Sequence, residues 1–345
     1  MSNTQNTIGT SEVRTETIES AKEMSRIFRE KGIPTYLHGA PGVGKSDALR
    51  QLAKELKIGF KDIRVGTMLP EDLTGIPVPD LEKRVATWLR AEFWPEVERD
   101  GAEGIIAFDE LSDANRQLQS CIYRVILDRQ IGDYVLPKGW WPAAAGNRRE
   151  DRAAAQSIST ALANRFAHIH IRADADCWLQ WANVNDIDPM LIGFINFRKN
   201  LLHTMEGGDM LAFPSPRSWA RASKVFDQPA GMRFRLVAAN VGEGAAMEVE
   251  TFFKTVNLPD LEDIIARPMK TVIPDEPASR YALCAMLSRE INAENFADIY
   301  KYIFRDDFGA DFATVVVLDA TKRDASLCDH KTFVQWARSN KSLRV

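Results

Sequence analysis

The sequence predicts an α/β fold, a doubly wound parallel sheet followed by helical segments, and three observations carry that expectation. Short apolar runs alternate with helix-like stretches over the first half of the 345-residue chain, as expected when parallel strands are joined by crossover helices. A glycine-rich stretch at residues 39–46, GAPGVGKS, sits directly between one apolar run and one helix-like run. From residue 174 onward only helical spacing continues, with breaks at Gly207, Pro214, Pro216, Pro229 and the Gly242/Gly244 pair.

The elements follow in order. Residues 1–16 are polar, lack apolar periodicity and are expected to form a disordered tail. Residues 17–30 carry Ile18, Ala21, Met24, Ile27 and Phe28 at helical spacing, and Gly32 and Pro34 end that helix. Residues 35–38 make the first strand, 46–56 the helix after the glycine-rich loop, and 58–65 a second strand. Residues 68–95 hold too many prolines and turn signals for a plain helix yet carry Leu, Trp and Phe, which predicts an ordered insertion. Residues 104–110, GIIAFDE, read as a buried parallel strand delivering two acids at its carboxyl end. A helix over 114–128 leads to residues 129–138, which alternate around a Gly-Asp turn like a small hairpin. Residues 140–147, WWPAAAGN, form another buried strand closing on a polar amide, 157–164 a helix, and 167–172 the last strand. The predicted organisation is a nucleotide-binding core over 17–173, a small helical domain over 174–258, and a helical extension over 259–345.

The loop at 39–46 is a complete G-x-x-x-x-G-K-[ST] motif. Its glycines let the backbone curl so that successive N–H groups point inward at phosphates, where the following helix N-terminus adds partial positive charge. Gly39, Ala40, Pro41, Gly42, Val43, Gly44, Lys45, Ser46 and Asp47 are the expected cradle. Lys45 should reach the β- and γ-phosphates and Ser46 should ligate Mg²⁺. The GIIAFDE strand supplies the second motif, a Walker B strand in which Asp109 would hold the Mg²⁺ hydration shell and Glu110 would act as base or orienter for an attacking water.

Composition bounds the rest. The length suggests two or three compact units, and 45% apolar with 27% charged residues is ordinary for a globular chain. A net charge of −4 argues against a dominant electrostatic attraction to nucleic acid and so disfavours a DNA-tracking motor. The four cysteines, Cys121, Cys177, Cys284 and Cys328, are far apart and form no C-x-x-C pair, so neither a zinc site nor a disulfide framework is indicated. With no signal-like segment and no stretch near about 18 consecutive apolar residues, a cytoplasmic protein without membrane insertion is expected. His38, His168 and His170 have no motif company and read as structural. Trp88, Trp94, Trp140 and Trp141 read as core, with a partner- or pore-facing role as the alternative for Trp88, Phe93 and Trp94.

Taken together, the phosphate loop, inserted segment with EDLTGIP, Walker B strand, hairpin RQIGDYVLP, strand ending in Asn and helix end ALANRF resemble the AAA+ ATPases of the MoxR group and its dynein-related cousins, over residues 35–221. The resemblance implies a P-loop NTPase of AAA+ architecture with a helix-2 insertion at 68–95, a pre-sensor-1 hairpin at 129–138 and a helical lid at 174–258. It further implies ATP with Mg²⁺ as ligands and a homo-oligomeric ring, usually a hexamer, with ATP between subunits. Asn147 matches the sensor 1 position, Arg165 the arginine finger acting on a neighbouring subunit, and Arg217 in PSPRSW the sensor 2 position, with Pro216 starting its helix. Arg148, Arg149 and Arg152 lie near enough in sequence to offer a second contact. The tail, 259–345, departs from the family pattern, and its Leu283, Met286, Leu287, Tyr300, Tyr302, Ile303 and Phe304 read as core, with an interaction surface as the alternative. The family implies an ATPase that remodels or activates a protein client, often one with a von Willebrand A domain. The alternatives are a nucleic-acid motor or restriction-type NTPase, and a nucleotide-gated scaffold.

Overall fold

In the computed structural model, which describes residues 13–148, 158–205 and 211–339, the longest apolar runs of the first half lie side by side in a parallel sheet. The elements are β1 (Thr15–Glu16), α1 (Ile18–Glu30), β2 (Thr35–Gly39), α2 (Lys45–Leu56), β3 (Gly59–Arg64), α3 (Pro70–Thr74), β4 (Ile76–Asp80), β5 (Val85–Leu89), α4 (Val97–Asp100), β6 (Glu103–Asp109), α5 (Arg116–Asp128), β7 (Gln130–Ile131), β8 (Tyr134–Val135), β9 (Gly139–Gly146), α6 (Thr160–Ala163) and β10 (Ala167–Ile171). Six of the strands form one sheet in the order β1-β10-β2-β9-β6-β3, every pair parallel. β6 and β9 are buried along nearly their whole length, which is why they appear in sequence as unbroken apolar runs rather than alternating ones. On one face Leu118, Ile122 and Val125 of α5 pack with Tyr36, Ile106, Phe108 and Ala144, while α2 lies along β2, β3, β6 and β9 with Leu49 and Leu52 buried. Because all strands run the same way, their carboxyl ends share one edge, where ligands of open α/β sheets bind.

Two parts of this unit depart from the sequence reading. The disorder expected through residue 16 ends earlier: Thr15–Glu16 adds an edge strand beside β10, with the Arg172 backbone N–H donating to Glu16 O at 3.0 Å and its guanidinium to Thr15 O at 3.0 Å. Residues 1–12 of the expected tail lie outside the described residues. Residues 68–95, expected as an ordered insertion, carry α3 followed by the antiparallel hairpin β4–β5, which the sequence reading did not foresee. Within it Trp94 is core, its indole N–H donating to Leu73 O at 3.0 Å, whereas Trp88, read as core, is 41% exposed on the hairpin. β7 and β8 pair around Gly132 and Asp133 as the Gly-Asp turn predicts.

Residues 173–345 form the second compact unit. Its helices are α7 (Ala175–Val184), α8 (Pro189–Phe197), α9 (Pro216–Ala222), α10 (Ala230–Val241), α11 (Glu243–Thr255), α12 (Leu261–Ala266), α13 (Pro277–Glu290), α14 (Phe296–Ile303), α15 (Ala310–Arg323) and α16 (Lys331–Ser339). The division expected near residue 259 falls within this unit, which holds two core clusters. Helix α13 serves two cores at once: Ala278, Ala282 and Ala285 pack with Leu191, Phe194 and Trp219, while Leu283, Cys284 and Leu287 pack with Ile299, Tyr302 and Val316. The first contact is close because Gly193 of α8 has no side chain; a Cβ there would stand 2.7 Å from Ala282 Cα. Leu283, Leu287, Tyr302 and Ile303 are fully buried, and Met286, Tyr300 and Phe304 partly so, which makes the tail a core element of this unit.

Candidate active site

Strand β2 delivers the loop 40–44 to the carboxyl edge of the sheet, and α2 leaves from it. Gly44, at φ 97°, takes the left-handed backbone that lets the chain turn sharply into the helix. Lys45, the first helical residue, is 8% exposed, and its ammonium donates to Gly39 O at 2.8 Å, Ala40 O at 3.1 Å and Asn147 Oδ1 at 2.9 Å. The α2 N-terminus therefore presents N–H groups and a lysine to the same point, the arrangement that binds phosphate. Asp47, expected in the cradle, has its carboxylate exposed and accepting from Arg50 at 2.8 Å; any contact with a phosphate would come from its backbone.

The neighbouring strands bring the polar groups in. Ser46 Oγ donates to Asp109 Oδ2 at 2.6 Å, joining the first helix turn to the end of β6. Asp109 Oδ1 accepts the N–H of Glu110 at 2.9 Å, and Glu110 sits at φ 56°, a left-handed conformation that non-glycine residues seldom take outside constrained sites. Its carboxylate lies over Gly66, where a Cβ would come within 3.1 Å of Glu110 Oε2. Asn147 follows β9, its N–H donating to Ser112 Oγ at 3.1 Å while Ser112 donates to Asp113 at 3.1 Å. A serine hydroxyl beside a carboxylate is a hard-oxygen pair that suits Mg²⁺. Among the described residues no group of three or more His, Cys, Asp or Glu could hold a metal; a cation completed by phosphate oxygens and water requires none.

Support beneath the site comes from residues that sequence reasoning did not single out. Tyr36 of β2 is buried, its hydroxyl is bonded to Ser112, and burial pushes its ionisation well above the usual phenol range. Gly146 makes room for it, since a Cβ there would fall 2.1 Å from Tyr36 Oη. Ser112 is only three residues beyond Asp109, but nothing in its local sequence marks it as a link to Asn147. The three histidines form a row on the same sheet face: His38 and His168 rings lie 5.0 Å apart, His38 and His170 4.6 Å. His168 Nε2 donates to Ala163 O at 2.9 Å, so its Nδ1 accepts from His38 Nε2 at 2.8 Å. Burial first, then the other two histidines, Lys45 and Arg148, push the His38 pKa down to about 2, so the ring beside the phosphate loop stays neutral.

The remaining candidates are arginines. Arg165 follows α6, and its guanidinium donates to Tyr123 Oη at 3.1 Å. Arg148 stands one residue past Asn147, while Arg149 and Arg152 lie outside the described residues. Arg217 belongs to the helical unit, as the second residue of α9, where Pro216 starts the helix and Ser215 caps it by accepting from Ser218 N at 3.1 Å.

No family model matches the chain, and no curated protein does. Solved structures do resemble it. NtrX from Brucella abortus in complex with ATP is 15% identical with a TM-score of 0.41, the match covering 97% of this chain and 70% of that one. The Thermotoga maritima RuvB Holliday junction branch migration motor is 16% identical with a TM-score of 0.37, covering 83% of this chain and 85% of that one. Likenesses at this level leave the function to be argued from the chain's own residues.

Proposed function

We propose that the chain is a Mg²⁺-dependent ATPase of the AAA+ type, resembling the MoxR group, that assembles as a ring and uses ATP hydrolysis to remodel or activate a protein client. The observation that carries the catalytic part is the convergence of Lys45, Ser46, Asp109, Glu110 and Asn147 at the carboxyl edge of one sheet, from three separate strands. Lys45 now donates to neutral oxygens, which a phosphate oxygen would displace at a gain in charge complementarity. Ser46 and Asp109 would hold Mg²⁺, which supplies neutralisation of charge on the β- and γ-phosphates. Glu110 takes the proton of the attacking water or orients it, and the Asn147 amide, anchored through Ser112, aligns the same water. Arg165, from the next subunit, would stabilise charge on the transferring phosphoryl group, and Arg217 would close on the nucleotide from the helical lid.

The catalytic reading is tested by steady-state hydrolysis of ATP by the wild-type chain, Lys45→Ala and Glu110→Gln, with nucleotide binding measured in parallel. Hydrolysis lost in both variants, with binding kept in Glu110→Gln, is the expected result; hydrolysis retained in Glu110→Gln would sink the assignment of the base. Sedimentation with and without ATP tests the ring. Purifying Glu110→Gln with ATP and Mg²⁺ tests the client. One stoichiometric co-eluting protein supports remodelling. Nuclease-sensitive nucleic acid in its place, with salt-dependent stimulation of hydrolysis, would make the chain a nucleic-acid motor. A bare ring that keeps biological activity without hydrolysis would make it a scaffold.

A further inference from the structure

Arg165 is held by a tyrosine side chain. Its backbone is fixed on both sides: Leu162, fully buried, accepts its N–H through the carbonyl at 3.1 Å, and the next residue, Phe166, is buried in the α5 core. From this fixed point the guanidinium runs to Tyr123 on α5. Nη2 donates to Tyr123 Oη at 3.1 Å, and Cζ stands 5.3 Å from the centre of the same ring. Nε is buried and has no hydrogen-bond partner among the described residues, and no carboxylate of the described residues pairs with the group. Arg233 of the helical unit is held differently: its Nε and Nη2 donate to the two carboxylate oxygens of Glu250, at 2.7 and 2.9 Å, and its Cζ stands 3.7 Å over the Phe253 ring. Tyr123 orients Arg165 through a hydroxyl oxygen and a ring rather than through a carboxylate.

We propose that Tyr123 is a positioning residue for Arg165, holding the guanidinium aimed and undischarged until a phosphoryl group of a second copy of this chain meets its remaining donors. The proposal rests on the reading of Arg165 as a finger acting between subunits. Tyr123 touches no substrate; it acts through Arg165 by removing rotamers that point the side chain elsewhere. Its loss therefore lowers kcat and spares ATP binding in the subunit that carries the phosphate loop.

The experiment is a mutant cycle on the full chain, reading kcat and KM for ATP with Mg²⁺, together with ATP binding and ring size. Arg165→Ala is expected to lower kcat by on the order of 10³. Tyr123→Phe, which keeps the ring and deletes the hydroxyl, is expected to lower kcat about tenfold with KM changed less than about twofold. Tyr123→Leu, which removes the ring face as well, goes lower still, and neither change lowers kcat further on the Arg165→Ala background. Full activity in Arg165→Ala defeats the finger reading itself. Loss in Arg165→Ala with wild-type kcat in Tyr123→Phe and Tyr123→Leu overturns the role of Tyr123 and leaves the finger standing. Equal losses from Tyr123→Phe with and without Arg165 also overturn it, because they show an effect on folding rather than on the guanidinium. If Tyr123→Leu does not fold, the isosteric Phe variant and its double mutant decide the matter alone.

Discussion

Lys45 and Arg165 of the sheet unit and Arg233 of the helical unit are held in opposite ways. In the sheet unit, Lys45 donates to two carbonyls and an amide oxygen and Arg165 to a phenol. In the helical unit, Arg233 is gripped at both ends of its guanidinium by Glu250, 5% exposed, above the ring of Phe253. The difference belongs to these side chains rather than to the units, since Lys22 of α1 is paired with Glu19 at 2.9 Å and Glu55 at 2.8 Å, while Arg323 of α15 donates to the Ser288 and Ile291 carbonyls. Neutral oxygens and ring faces suit a cation that receives an external anion, the role proposed above for Lys45 and Arg165. A cation meant to hold helices together is better matched inside the fold, where an unpaired partner would be costly.

The largest test of this contrast is Glu110→Gln, for which kcat should fall by on the order of 10² to 10⁴, or about 3–5 kcal/mol of activation free energy, while the thermal unfolding midpoint stays near wild type. A parallel drop in stability would break the comparison by showing that the edge residues hold the sheet together. In the helical unit the expectation is reversed. Glu250→Ala should cost about 3–5 kcal/mol in denaturant unfolding by stranding the Arg233 charge, with hydrolysis per folded molecule little changed. Gly193→Ala comes next: the added Cβ meets the Ala282 backbone at 2.7 Å, so about 1–3 kcal/mol of overpacking is expected where the two helical cores share α13. Wild-type stability in that variant would mean that the helices separate freely and that α13 does not bind the cores together.

The smallest effect is a pH dependence. Burial raises the Asp319 pKa to about 6, against opposing contributions from Lys322 and Asn183. A carboxyl with a raised folded-state pKa binds more protons folded than unfolded, so its contribution to stability falls as pH rises from about 4 to about 6 and stays low above that. Asp319→Asn should flatten this slope and gain on the order of 1 kcal/mol at pH 7 relative to pH 5, read from urea midpoints at the two values. An unchanged slope would leave the helical unit's pH response to other carboxyls.

Much of the sheet unit was legible because its strands are covered on both faces. GIIAFDE and WWPAAAGN announce themselves as apolar runs, and β6 and β9 occupy them almost residue for residue. β1 was illegible because two polar residues, Thr15 and Glu16, gain their place from backbone pairing with β10 rather than from burial of apolar side chains. The β4–β5 hairpin escaped for a related reason: its residues are exposed or half-exposed, so no alternation between buried and open faces exists to be read. Helical spacing records that a face is buried, not against which core, so the sequence did not show that α13 is buried on two sides.

By itself the sequence determined the groups available: a glycine-rich loop ending in Lys45 and Ser46, a strand ending in Asp109 and Glu110, and an amide at Asn147. These are local patterns, set by glycine flexibility, strand burial and the polarity of strand ends. Only the tertiary structure decided that Lys45 meets Asn147 across 102 residues, that Ser112 links Asn147 to the β6 turn, and that Tyr123 holds Arg165 from 42 residues away. Those contacts depend on which strands become neighbours and which glycines let them approach, as Gly146 does for Tyr36. They are set by the competition of whole cores for closest packing, a long-range quantity that no window of sequence contains.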